Sequence, residues 1–233
     1  MFVANKMPTS LSAEAYRNLR TNIKFLSVDK PIKTIVVTSS IIGEGKTTVA
    51  GNLAYILSQD GAKVLVIDCN LRNPSMHNNF FVSNEKGLTD FLIKNCELDS
   101  ILKKIEDSLF LITAGTIPPN PSEILGIDLM QELLNEVSEK FDYVILDTPA
   151  VIPVTDTLIL SAKSDATLIV VKSRAVKAKI VKQSYERLAS VKANIIGTVL
   201  NETDKAIENK YYGCYEKGNK KNNKNIEKNK HRG

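Results

Sequence analysis

The sequence predicts an α/β fold in which a mostly parallel central sheet carries helices on both faces. Three observations predict it. Apolar runs of strand length alternate with longer segments of helical periodicity. The first run feeds a Gly-containing loop that opens a helix, and two later runs end in aspartate, as a ligand site at the carboxyl edge of parallel strands requires.

In chain order, residues 10–26 (SLSAEAYRNLRTNIKFL) form a helical segment, with Ser12 placed as its cap and Leu11, Ala15, Leu19 and Ile23 as its apolar stripe. The strand-like runs are TIVVTS (34–39), KVLVIDC (63–69), LFLITA (109–114), YVILDT (143–148), ATLIVVK (166–172) and NIIGTVLN (194–201). Between them, GKTTVAGNLAYILSQDG reads as a helix stopped by Gly61, and PSEILGIDLMQELLNEVSEK and VKAKIVKQSYERLASVK as two more. There is no internal repeat.

The segment TIVVTSSIIGEGKTTVAGNLA joins a buried strand to a helix that opens with Gly-Lys-Thr-Thr. Phosphates bind such a turn because the backbone N–H groups of Gly43, Glu44, Gly45, Lys46, Thr47 and Thr48 can point inward, and the helix N-terminus adds its positive end. Lys46 would reach the β- and γ-phosphates, and the Thr47 hydroxyl would sit on Mg²⁺. The usual motif starts with Gly six residues before the lysine; here that residue is Ser40, so the strand and helix context carries the reading. Asp147, closing YVILD, is placed to hold Mg²⁺ directly or through water, and Asp68 closes VLVID. These features make the fold class a P-loop NTPase with ATP and Mg²⁺ as cofactors.

Composition narrows the field. The 233 residues are 43% hydrophobic and 24% charged, and no apolar run approaches the roughly 18–20 residues needed to cross a bilayer. The first residues have no long apolar stretch of a secretory signal, and three widely spaced cysteines exclude a disulfide scaffold and a zinc ribbon. A cytoplasmic location follows as the expectation. The net charge is +5, and residues 216–233 hold seven Lys/Arg against two Glu, so the excess lies entirely there. That segment has almost no apolar residue to offset ordering entropy and reads as a flexible tail, either a solubilising end or an electrostatic arm for an anionic membrane surface.

These pieces together resemble the cytoplasmic bacterial tyrosine kinases of capsule and exopolysaccharide assembly, the CpsD/CapB type, over about residues 8–215. The resemblance is carried by the phosphate loop, by Asp68 with Arg72 and Pro74 after it, and by FDYVILDTPAV. Glu14, Arg17 and Arg20 match the family's ExxRxxR oligomerisation motif, residues 118–123 its PPNPSE stretch, and Tyr211, Tyr212 and Tyr215 its C-terminal tyrosine cluster. ATPases of the MinD/ParA type share the fold, but their extra lysine would fall at Ile41.

The resemblance implies transfer of the ATP γ-phosphoryl group to tail tyrosines of a neighbouring copy. Lys46, Asp68 and Asp147 would be catalytic, and Thr47, Asp68 and Asp147 would be metal-binding. It implies a ring-like homo-oligomer, activation by the cytoplasmic tail of a transmembrane polysaccharide co-polymerase, a peripheral position at the inner face of the membrane, and no nucleic-acid partner. The expected organisation is an oligomerisation helix segment over 1–30, a kinase core over 31–205 and a tyrosine-containing basic tail over 206–233. The sequence departs from the family at Ile42, where proline is common, at Asn70, where many relatives carry a second aspartate, and at Cys214 within the tyrosine cluster. A non-kinase ATPase switch and a weakly catalytic nucleotide-bound scaffold are the alternatives.

Overall fold

The computed structural model describes residues 2–28 and 30–203. The elements are α1 (Val3–Lys6), α2 (Leu11–Leu26), β1 (Thr34–Ser39), α3 (Lys46–Gln59), β2 (Val64–Asp68), α4 (Met76–Phe80), α5 (Leu88–Leu92), α6 (Leu98–Ile101), β3 (Leu102–Glu106) and β4 (Leu109–Ile112). Then follow α7 (Pro121–Gly126), α8 (Asp128–Lys140), β5 (Tyr143–Asp147), α9 (Asp156–Lys163), β6 (Ala166–Lys172), α10 (Ala178–Ser190) and β7 (Ile195–Asn201). Met1–Asn201 forms one compact unit; Glu202–Gly233 is a second, of which only the first two residues are described.

The strands lie in the order β3-β4-β2-β5-β1-β6-β7. Every pairing is parallel except β3 with β4. Alternation along the inner strands feeds two cores. Ile35, Val37, Val64, Val66 and Ile145 face α1–α4, whereas Val36, Leu65, Ile67, Val144 and Leu146 pack with residues of α5–α9. Because both faces are covered, β1 and β2 are buried along their whole length, which is why their sequences are continuous apolar runs rather than alternating ones.

Six strands fall where the sequence places them, and the differences have local causes. The α2 cap is Ser10, not Ser12: its hydroxyl accepts from the Ala13 N–H. The helix therefore presents Ala13, Tyr16, Leu19 and Ile23 to the core, and Ala15 faces solvent. The segment 121–140 is two helices, because Ile127 adopts an extended conformation (φ −64°, ψ 159°) between them. β3, α9 and the short helices α1, α4, α5 and α6 have no counterpart in the elements the sequence predicts. β3 reads LKKIE, with Lys103 and Lys104 on the sheet's edge. The stop at Gly61 is confirmed, with φ +88° and the Ala62 N–H closing back on the Leu57 carbonyl.

The N-terminal segment is built onto α3. Phe2 is buried against Tyr55 and Phe80, with ring centroids 5.7 and 4.9 Å apart. It occupies the space of a missing side chain, since a Cβ on Gly51 would lie 2.0 Å from its ring. Buried Asn52 accepts from the Ala4 N–H at 2.8 Å and donates to the Thr48 carbonyl at 2.8 Å, tying this segment to the first turn of α3.

Candidate active site

The carboxyl edge of the sheet gathers the predicted residues. β1 ends at Ser39 and the chain curls through Gly43 and Gly45, with φ +88° and +87°, a left-handed conformation that side chains with a Cβ adopt at a cost. α3 then starts at Lys46 with Gly45 as its N-cap and no capping side chain. The N–H groups of Lys46, Thr47 and Thr48 have no helical acceptor, and the helix dipole adds positive potential there. Glu44 contributes more than the sequence reading assigned it: its side chain turns inward and is buried.

Asp68 and Asp147 are fully buried. The Thr47 hydroxyl donates to Asp147 Oδ2 at 2.7 Å, while Asp147 Oδ1 is buried without a hydrogen-bond partner. Burial pushes the Asp147 carboxyl up to about 7; the Lys46 charge opposes the rise and the Asp68 charge adds to it. Asp68 Oδ1 accepts from the Asn70 N–H at 3.2 Å, and Oδ2 from the Ser75 and Met76 N–H groups at 3.0 and 2.9 Å. Burial raises Asp68 to about 6 against the pull of these amides. Lys46 Nζ lies 3.5 Å from Thr47 Oγ1.

These residues fit a nucleotide and a hard divalent cation. A hydroxyl and an orphaned carboxylate oxygen are oxygen donors of the right chemistry, and at Gly43 the loop has open space beside its backbone. Charge supports the same fit, since two buried carboxylates beside one lysine are costly until a cation joins them. Among the described residues no group of three or more His, Cys, Asp or Glu forms a metal cluster, so the cation would take the rest of its ligands from phosphate and water.

Two contacts here are not expressed in the sequence. Asp156, buried at the start of α9, takes a bidentate pair from Arg72, Nε and Nη2 at 2.9 and 3.0 Å, which clamps the loop after β2. The run Val-Thr-Asp before an apolar stretch was the available signal of that helix start. Asn70 is the second: its Nδ2 donates to the Asn73 carbonyl at 2.9 Å, a bond that a carboxylate cannot make.

The remaining predicted residues are not all gathered at this edge. Glu14 and Arg17 pair with each other at 2.7 Å, Arg17 also reaches the Pro8 carbonyl, and Arg20 pairs with Asp60 at the end of α3 at 3.0 Å. Tyr211, Tyr212 and Tyr215 lie outside the described residues.

Comparison with known proteins agrees with this geometry. The AAA domain family matches residues 32–201. The chain is 40% identical to tyrosine-protein kinase YwqD of Bacillus subtilis over 91% of its own length and 90% of the relative's. Among solved structures, the chimerical protein CapA2B2 superposes with a TM-score of 0.85 at 33% identity, covering 88% of this chain and 90% of that one. The kinase domain of the Escherichia coli tyrosine kinase ETK superposes with 0.85 at 35% identity, covering 88% and 81%. With a nucleotide-type phosphate loop, paired carboxylates and kinship across nearly its whole length, the chain belongs to the bacterial tyrosine-protein kinases, AAA-domain enzymes that phosphorylate tyrosine in proteins.

Proposed function

We propose that the chain transfers the γ-phosphoryl group of ATP, with Mg²⁺, to Tyr211, Tyr212 and Tyr215 of a neighbouring copy. The observation that carries this reading is the Thr47–Asp147 hydrogen bond beside an orphaned Asp147 oxygen. Bound Mg²⁺ supplies charge neutralisation at the phosphates, held by Thr47 and Asp147. Lys46 and the loop amides from Gly43 to Thr48 stabilise charge on the transferring group. Asp68 orients the incoming tyrosine and takes its proton, a role that suits a carboxyl raised toward neutrality by burial. The ten residues from Asn201 to Tyr211 would span at most about 33–36 Å if extended, which suffices to cross to a neighbouring site provided that they are not wholly helical.

The same reading places the enzyme in capsular or exopolysaccharide synthesis, as a ring-like oligomer recruited to the inner face of the membrane by the cytoplasmic tail of a transmembrane co-polymerase. Among the described residues no helix is long and apolar enough to cross a membrane, so recruitment through a partner is consistent with the chain. The basic tail adds an electrostatic pull toward anionic lipid, which phosphorylation of the adjacent tyrosines would weaken.

The test is a mixing experiment. Lys46→Met protein with an intact tail is incubated with ATP, Mg²⁺ and an otherwise unaltered copy truncated before Tyr211. Phosphotyrosine on the Lys46→Met chain is the expected result. If it stays unmodified while intact protein labels itself, transfer between copies is wrong.

A further inference from the structure

Glu44 is a buried acidic side chain, 1% exposed, inside a loop built to attract anions. Charge alone argues against it, because a carboxylate beside a phosphate site repels the ligand. Its contacts supply the reason. Oε1 accepts from the Ile41 N–H at 2.7 Å, which closes the loop on itself. Oε2 accepts from the Lys172 N–H at 3.1 Å, at the end of β6. The main-chain carbonyl of Glu44 accepts from Asn201 Nδ2 at 3.0 Å, at the end of β7. The Ser173 N–H donates to the Asn201 carbonyl at 2.8 Å and joins those two strand ends. Asn201 Nδ2 also sits 2.1 Å from where a Cβ on Gly45 would be, so any larger residue there would displace the Asn201 amide from its place.

We infer that Glu44 and Asn201 are positioning residues that latch the phosphate loop to the β6–β7 side of the sheet. The loop is thereby held in its binding conformation before ligand arrives. A free Gly-containing turn would have to be ordered at the expense of affinity, whereas a latched one presents its amides ready placed. The Asn201 contact is separated from the loop by 157 residues, so this support comes wholly from the fold. The inference rests on the reading that this loop binds nucleotide.

Glu44→Gln separates latch from charge by the sign of its effect. The amide keeps the shape but turns one oxygen into a donor facing either the Ile41 or the Lys172 N–H. Removing a negative charge would by itself tighten Mg·ADP binding, whereas breaking the latch weakens it, on the order of tenfold. Titration with Mg·ADP is run on the intact chain, Glu44→Gln, Asn201→Ala and Lys46→Met, with thermal unfolding without nucleotide as the check on folding. The latch predicts weaker binding by Glu44→Gln and Asn201→Ala, and for Asn201→Ala a KM for ATP raised more than kcat is lowered. Equal or tighter binding by folded Glu44→Gln overturns it. Should that variant not fold, unchanged binding by Asn201→Ala overturns it instead. If Lys46→Met binds as tightly as the intact chain, the assignment of the nucleotide site itself fails, a separate result from either of these.

Discussion

Asp68 at the end of β2 and Asp147 at the end of β5 are register partners on adjacent parallel strands, so two fully buried carboxylates stand side by side. Like charges at this spacing resist joint ionisation, and the pair titrates as a unit. Both pKa values lie above the ordinary carboxylate range, to about 6 and about 7, chiefly through burial. The folded state therefore binds protons more tightly than the unfolded chain, and stability falls as pH rises from about 4 to about 7. The melting temperature of nucleotide-free protein should drop between pH 5 and pH 8, and Mg·ADP should flatten that slope. A melting temperature that rises over this range would contradict the assignment.

Asp147→Asn removes one of the repelling charges and keeps an oxygen for the Thr47 hydroxyl. Two opposite effects are expected in one variant: tyrosine phosphorylation lost at least a hundredfold, and nucleotide-free protein more stable than the intact chain at pH 8. Anti-phosphotyrosine detection and thermal unfolding read the two separately. Retained activity would remove Asp147 from the metal site.

Asn70→Asp exchanges the hydrogen bond to the Asn73 carbonyl for a third carboxylate near Asp68. Without metal the variant should melt lower by a few degrees, and at saturating Mg²⁺ its turnover should exceed that of the intact chain. Initial rates across a Mg²⁺ series decide the point. An unchanged rate would make Asn70 a neutral replacement.

If the proposed oligomer forms through Arg17 and Arg20, replacing both with alanine should lower the mass seen by light scattering to that of a monomer. The structure refines this expectation, because Arg20 already pairs with Asp60 within the chain. Asp60→Asn, which loosens the pairs Asp60 makes with Arg20 and Lys24 inside the chain, should leave the mass unchanged if the arginines act between copies. Equal masses for the double variant and the intact chain would refute the role.

The parts of the molecule legible in its sequence are those encoded by neighbours in the chain. The buried run 34–39, the largely buried run 166–172 and the Gly-Lys-Thr turn announce themselves through composition and spacing. β3 did not, because LKKIE owes its strand state to pairing with β4 rather than to its own apolar content. The support of the site was equally hidden: Asp156 meets Arg72 across 84 residues and Asn52 meets Ala4 across 48. By motif alone Asn70 counts as a missing carboxylate, whereas its geometry shows an amide employed as a donor.

The two rims of the sheet are unequal. Lys103 and Lys104 lie on β3, and a charged border of this kind discourages another strand from joining. β7, at the opposite rim, is only partly covered, with Leu200 58% exposed. Among the described residues strand addition is thus favoured at one flank, and two copies meeting there through a twofold axis would consume each other's open border. Fibrous growth by edge-to-edge stacking is disfavoured, because the charged border opposes its continuation.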